Sequence, residues 1–251
     1  IIDQMKRDEQ VKAALSFKKS SVLGAGWEVT SPEDEDEDWE VTRFVRDTFT
    51  GITGGWNAVL LSVLSALDYG FSCAERIYEE KEVGEWKGKL VLARLQSLKP
   101  HYIDFETDAF GKLLSVQQTG ASPQAVVMPP AKFLIYSYTK EFGNYYGTTD
   151  LEAAYRPWWV KDNAYKFLAV TLERYGMAPL FALYDPNTYQ PAQVEELKKV
   201  VKGIQNATLG VIPRSSAEAL ELWSQNLDKG SSELFLKALD RFDQHIARAI
   251  L

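Results

Sequence analysis

Hydrophobic positions along this chain change their period twice. From Asp8 to Ser21, Val11, Ala14 and Leu15 fall on one helical face, with Val22 continuing it, and Gly24 and Gly26 end the run. Trp27-Glu28-Val29 reads as a short strand. Asp38 to Phe49 sets Trp39, Val41, Phe44, Val45 and Phe49 at helical spacing. Trp56 to Asp68 does the same with Trp56, Val59, Leu60, Val63, Leu64 and Leu67, a stripe wide enough to be buried, before Tyr69-Gly70 stops it. From Phe71 to Tyr138 the period falls to two. Strands are predicted within Phe71–Tyr78, Lys89–Leu95, Tyr102–Phe105, Lys112–Val116 and Lys132–Tyr136. Turn signals at Gly84, Gly88, Pro100, Gly111, Gly120 and Pro129-Pro130 divide them. Short strands in direct succession predict an antiparallel meander, so residues 1–150 read as an α+β unit.

The helical period then returns. After the turn Gly143-Asn-Tyr-Tyr-Gly147, a segment of about 26 residues carries Leu151, Ala154, Tyr155, Trp158, Tyr165, Leu168, Ala169, Leu172 and Tyr175. It would be roughly 39 Å long at 1.5 Å per residue. A helix more than twice the usual 11–12 residues (approximate mean) needs a surface to lie against. Asp150 is placed to cap it, and Gly176 to close it. Pro157 lies inside, so the helix either starts there or bends there. Pro179 to Tyr184 is a predicted strand, and Asp185-Pro186-Asn187 a turn. Pro191 suits the first position of a helix bearing Val194, Leu197, Val200, Val201 and Ile204. Leu209–Pro213 is a second strand, which makes a βαβ-like module, and Ala219–Trp223 a third. A last helix, capped by Ser231 or Ser232, carries Leu234, Phe235, Ala238, Leu239, Phe242, Ile246, Ala249 and Ile250 as one stripe.

Two long amphipathic helices therefore flank one small α/β insert. Trp158 and Trp159 are adjacent and cannot share a helical face. They would serve two surfaces, and an interface role for one of them stands beside packing within the chain as the alternative.

Composition adds exclusions. The chain has 251 residues, a formal net charge of −7 and 45% hydrophobic residues. It is long enough to bury a sizeable core. An acidic balance, with no Lys/Arg run interleaved with aromatics, disfavours tight nucleic-acid binding. Cys73 is the single cysteine, so no disulfide framework and no cysteine metal site is expected, and a reducing compartment is the simplest setting. No apolar run reaches the length of a membrane span, and no signal peptide is visible. The chain begins Ile-Ile and stops inside a helical pattern, as an ordered piece of a longer protein would.

Candidate chemistry is sparse. There is no P-loop, G-x-G-x-x-G, G-x-S-x-G or H-E-x-x-H pattern. The acidic run Glu33–Asp38 has neither the spacing nor the turn glycine of a calcium loop and reads as a solvated lead into the next helix. His101 at a turn and His245 on the last helix read as surface histidines. Glu79, Glu80 and Glu82 beside Lys81 could run acid/base chemistry, but a solvated hairpin explains them better. Cys73 on a strand reads as a small buried residue. No catalytic residue, metal or cofactor is expected.

The order of elements carries a resemblance. Asp8–Val29, where Val-x-x-Ala-Leu runs into Trp-x-Val, is one piece. Asp68-Tyr-Gly-Phe-Ser-x-x-Glu75 is a second, and Phe142–Gly147 before the long helix a third. Arg174-Tyr-Gly-Met-Ala-Pro179 and Ile246-Ala-Arg-Ala249 complete the series. Together they span essentially the whole chain, and it resembles the portal proteins of tailed bacteriophages, especially the Mu-like branch and related siphovirus portals.

The resemblance implies a portal-like α+β fold. Residues 1–150 would be the wing, with helices and an antiparallel meander. Residues 151–176 would be the first stem helix, 177–230 a small α/β clip and 231–251 the second stem helix. The tunnel loop and crown of such proteins match no residue of this sequence. The implied role is a ring, usually of twelve copies, at one capsid vertex of the virion. The ring is assembled in the host cytoplasm and is a conduit for DNA packaging and ejection. It is no enzyme and meets no membrane. Implied partners are the terminase large subunit, a head–tail adaptor, the major capsid and scaffold proteins, and double-stranded DNA passing without sequence specificity. Candidate subunit-interface residues in the stem are Trp158, Trp159, Tyr165, Leu172, Phe235, Phe242 and Ile246. Candidate docking residues in the clip are Tyr184, Tyr189, Lys198 and Lys202. The alternatives are another phage structural protein, such as a head–tail adaptor, or a carboxylate-based hydrolase. A strand-rich first half argues against a small, mainly helical adaptor.

Overall fold

Asp8 opens the first long helix because its carboxylate accepts hydrogen bonds from the Gln10 and Val11 amides, two donors the helix cannot satisfy itself. The computed structural model describes residues 1–31, 39–120, 125–176, 180–204, 209–213, 220–224 and 229–251. These fall into two compact units: residues 1–156 with 245–251, and residues 157–244.

The first unit opens on helices α1 (Ile2–Met5), α2 (Glu9–Gly24), α3 (Glu40–Thr50), α4 (Trp56–Val63) and α5 (Ala66–Tyr69). Val11, Ala14 and Leu15 are buried on α2 as their spacing predicts, whereas Val22 is exposed. The single helix expected over 56–68 is two. Amides of Ser65, Leu67 and Asp68 bond carbonyls three residues back, and this tighter winding separates α4 from α5. Gly70, at φ 87°, ends α5 in the left-handed region. The strand expected at Trp27-Glu28-Val29 is absent. Among the described residues that segment has no ladder partner. It is held by the Trp27 ring against Phe49 and Trp56, and by the Arg46 guanidinium donating to the Val29 carbonyl at 3.2 Å. The acidic run Glu33–Asp38 lies outside the described residues.

Among the described residues six strands follow: β1 (Phe71–Glu80), β2 (Leu90–Leu98), β3 (Ile103–Thr107), β4 (Leu113–Gln118), β5 (Val126–Met128) and β6 (Phe133–Ser137). All five expected strands are present, and β5 is additional. Their pairing is antiparallel, but the run does not lie flat as one meander. It divides into two sheets, β2-β1-β6 and β3-β4-β5, because β6 returns to pair with β1 from Phe71↔Ser137 to Glu75↔Phe133. The physical reason is burial. Phe71, Cys73 and Phe133 from one sheet meet Ile103 and Val116 from the other in one core. A flat sheet would have left that apolar face to water.

The second unit begins within α6 (Leu151–Gly176) and continues through β7 (Leu180–Tyr184), α7 (Pro191–Ile204), β8 (Leu209–Pro213) and β9 (Leu220–Ser224) to α8 (Lys229–Ile250). Strands β7 and β8 pair in parallel, which requires a crossover such as α7. Strand β9 pairs antiparallel on the other side of β7. Asp185 ties the preceding turn by accepting from the Asn187 amide and the Thr188 hydroxyl. Pro191 is the first residue of α7. The Gln190 amide donates to the Gln193 side chain, a capping arrangement at that end. Helix α8 starts at Lys229, ahead of Ser231 and Ser232, so neither serine is its cap. Helix α6 runs unbroken through Pro157. The proline only removes the amide that would bond the Ala153 carbonyl.

Candidate functional site

Three of the five motif pieces that carried the resemblance meet in space. The Tyr138 amide donates to the Gly70 carbonyl at 2.8 Å, and the Thr148 amide to the Tyr138 carbonyl at 2.9 Å. Gly70 and Gly147 face each other so closely that a side chain on either would clash with backbone, of Tyr146 and of Tyr138 respectively. Both also have positive φ, at 87° and 59°. The glycines of Asp68-Tyr-Gly and Gly143-Asn-Tyr-Tyr-Gly147 are thus required by one shared backbone crossing. Thr149 completes it. Its hydroxyl donates to the Leu67 and Asp68 carbonyls and accepts from the Leu151 amide at the start of α6. Asp150, expected to cap that helix, instead pairs with Lys18 at 2.8 Å.

Two charged hubs brace this crossing. Asp68, with a side chain only 2% exposed, receives Lys6 and Lys19, each at 2.6 Å. Burial alone would push Lys6 down, but the Asp68 carboxylate and the Tyr69 hydroxyl more than reverse this and raise it. Lys18 donates to Asp150, to the Tyr138 hydroxyl and to the Ile250 carbonyl at the end of α8. Burial opposes its charge too, yet Asp150 and Tyr138 hold its pKa above the ordinary value. These are bracing contacts.

The candidate stem residues divide. On α6, Trp159 is 53% exposed, Tyr165 43% and Leu172 57%, while Trp158 is half-buried. Phe167 and Val170, which the sequence stripe did not include, are 67% and 60% exposed. At about 100° per residue, Trp159, Phe167 and Val170 lie within roughly 80° of one another on one side. Tyr165 and Leu172 lie on another, beside Lys161. On α8, Phe235 and Phe242 are half-buried, and Ile246 is buried within the chain itself. Lys161 is buried and pairs with Asp243 at 2.6 Å. Neither partner stood out in the sequence as a pair, because they are 82 residues apart.

In the insert, Tyr184 and Tyr189 are half-buried and touch ring edge to face, with centroids 6.2 Å apart. Lys198 is exposed and bonded to Glu195, whose carboxylate holds its pKa above the ordinary value. The Lys202 side chain lies outside the described residues.

Other chemical candidates stay apart. His101 pairs with Asp3 at 3.3 Å, and Glu79 with Lys81. Cys73 is buried, and burial pushes its thiol up to about 12, far from a reactive thiolate. Among the described residues no cluster of three potential metal ligands exists. No described helix is long and apolar enough to cross a membrane.

The family model for the portal protein of Mu bacteriophage matches residues 1–251. The chain belongs to this portal family. Solved structures share its fold. A chain from the virion of a native gene transfer agent particle superposes with a TM-score of 0.65 at 14% identity, over 99% of this chain and 67% of that one. A chain from the neck of an empty particle, with C6 symmetry, gives 0.62 at 16% identity over 94% and 64%. A chain from the neck of a native particle, with C12 symmetry, gives 0.58 at 15% identity over 82% and 58%. The portal chain described here thus spans roughly two thirds of the length of those relatives or less. No curated relative matches it.

Proposed function

We propose that this portal chain is a subunit of a ring at a capsid vertex, through whose centre double-stranded DNA enters and leaves the particle. The observation that carries this reading is the portal family match over residues 1–251. In this reading residues 1–150 are the wing, 151–176 and 231–251 the stem helices, and 177–230 the clip. A closed ring needs a heterologous interface, one surface meeting a different surface on the next copy. The apolar side chains that α6 leaves in water are suited to it: Trp159, Phe167 and Val170 on one side, Tyr165 and Leu172 on the other. The net charge of −7 suits a duct in which DNA slides, since strong phosphate contacts would hold it still. The clip, with Tyr184, Tyr189, Lys198 and Lys202, is the proposed docking surface for the packaging motor and the head–tail adaptor. The role is structural, with no catalytic step.

Electron microscopy and mass measurement of the full-length protein test this. Rings with a central hole are expected. A strictly monomeric full-length protein would overturn it. Reversing several channel-facing acids to lysine should slow packaging.

A further inference from the structure

Helix α6 places Ala154, Trp158, Lys161, Tyr165, Leu168 and Leu172 at alternating steps of four and three, the spacing of a helix–helix seam. Five of these are apolar or aromatic, and the third is a lysine. On α8, Phe235, Leu239, Phe242, Ile246 and Ala249 repeat the same steps, with Asp243 beside Phe242. The lysine is buried although a long cation ordinarily stays in water. Its ammonium meets Asp243 at 2.6 Å and stands 5.8 Å from the Tyr165 ring centroid. Both charges belong to the second unit.

A buried ion pair gives little net stability, because desolvation opposes the attraction. Its better attested use is to select one register among several that apolar packing would tolerate. That need is acute here. Tyr165 and Leu172 remain 43% and 57% exposed, so apolar contact does little to define how α6 sits along α8 beyond Lys161. A slip of one seam step would set Asp243 against Trp158 or Tyr165 and leave Lys161 buried without its carboxylate. We propose that Lys161 and Asp243 form a register pin that fixes α6 against α8 within each subunit. The inference concerns a single subunit and stands apart from the portal reading.

Spin labels on the exposed Lys166 and Lys237 positions of the full-length protein read the register, with labelled chains diluted among unlabelled ones. The native pair gives one narrow distance distribution. Asp243→Asn keeps the shape and removes the charge, and it should broaden the distribution or add a second population displaced by about 5 Å, one helical turn. Lys161→Met with Asp243→Leu should do the same while melting at an equal or higher temperature. The charge reversal Lys161→Asp with Asp243→Lys should restore the single population. A narrow, native distribution in Asp243→Asn or in the Met/Leu variant would overturn the pin. So would a reversal that leaves the distribution broad.

Discussion

The two units of this portal chain are held together in different ways. The first closes on itself: two sheets bury a shared core, two charged hubs brace it, and one backbone crossing admits only glycine. The second combines a three-stranded sheet with long helices, and α6 leaves Trp159, Phe167 and Val170 more than half exposed on one side. Large apolar side chains grouped on one face in water mark an interaction surface more often than an accident. The difference teaches that the first unit is braced from within, whereas α6 carries an apolar stripe that its own unit leaves in water among the described residues.

The sharpest way to break the comparison is Gly147→Ala. The added carbon would meet the Gly70 and Tyr138 carbonyls at a φ that alanine resists. A loss of about 4 kcal/mol is expected, enough to deprive the chain of soluble folded protein. Near-normal yield and melting temperature would show that the crossing yields. Asp68→Ala comes next. It strands Lys6 and Lys19 and should cost about 3 kcal/mol in urea titration. Lys18→Met removes three hydrogen bonds from a half-exposed ammonium, and about 2 kcal/mol is expected.

Alkaline pH sharpens the same contrast. The Lys6 and Lys18 values are raised in the folded chain above 10.5, and the Tyr69 value above 10.0. Their stabilisation is therefore complete below those ordinary values and disappears as pH climbs through the folded ones. The melting temperature should fall steeply in that window, and less steeply in Lys18→Met. A parallel slope in the variant would remove Lys18 from the account. The smallest stability effect belongs to the second unit. Trp159→Ser and Phe167→Ser should change monomer stability by under about 0.5 kcal/mol. Ring formation, followed by mass measurement, should nevertheless be lost. Variants that assemble normally would move the interface elsewhere.

Much of the architecture was legible in advance because it rests on local periodicity. The stripe on α2, the five long strands, Pro191 at the start of α7 and the stripe on α8 all appear at or within a few residues of their expected positions. Errors arose where a distant contact overruled a local preference. Trp27-Glu28-Val29 has strand-forming residues but, among the described residues, no strand to pair with. Asp150 has capping chemistry but is taken by Lys18, 132 residues away. Ser231 and Ser232 are good caps, yet the helix extends past them to Lys229.

By itself, the sequence determined where most of the helices and strands lie, and the order of motifs that marks a portal chain. Periodicity and turn chemistry are local, so they are written in consecutive residues. Only the tertiary structure decided that β6 returns to β1, that Gly70 and Gly147 share one crossing, and that Lys161 meets Asp243. Each of these joins residues more than fifty positions apart. What selects them is the burial of apolar faces and the pairing of charges removed from water, which no short stretch of chain encodes.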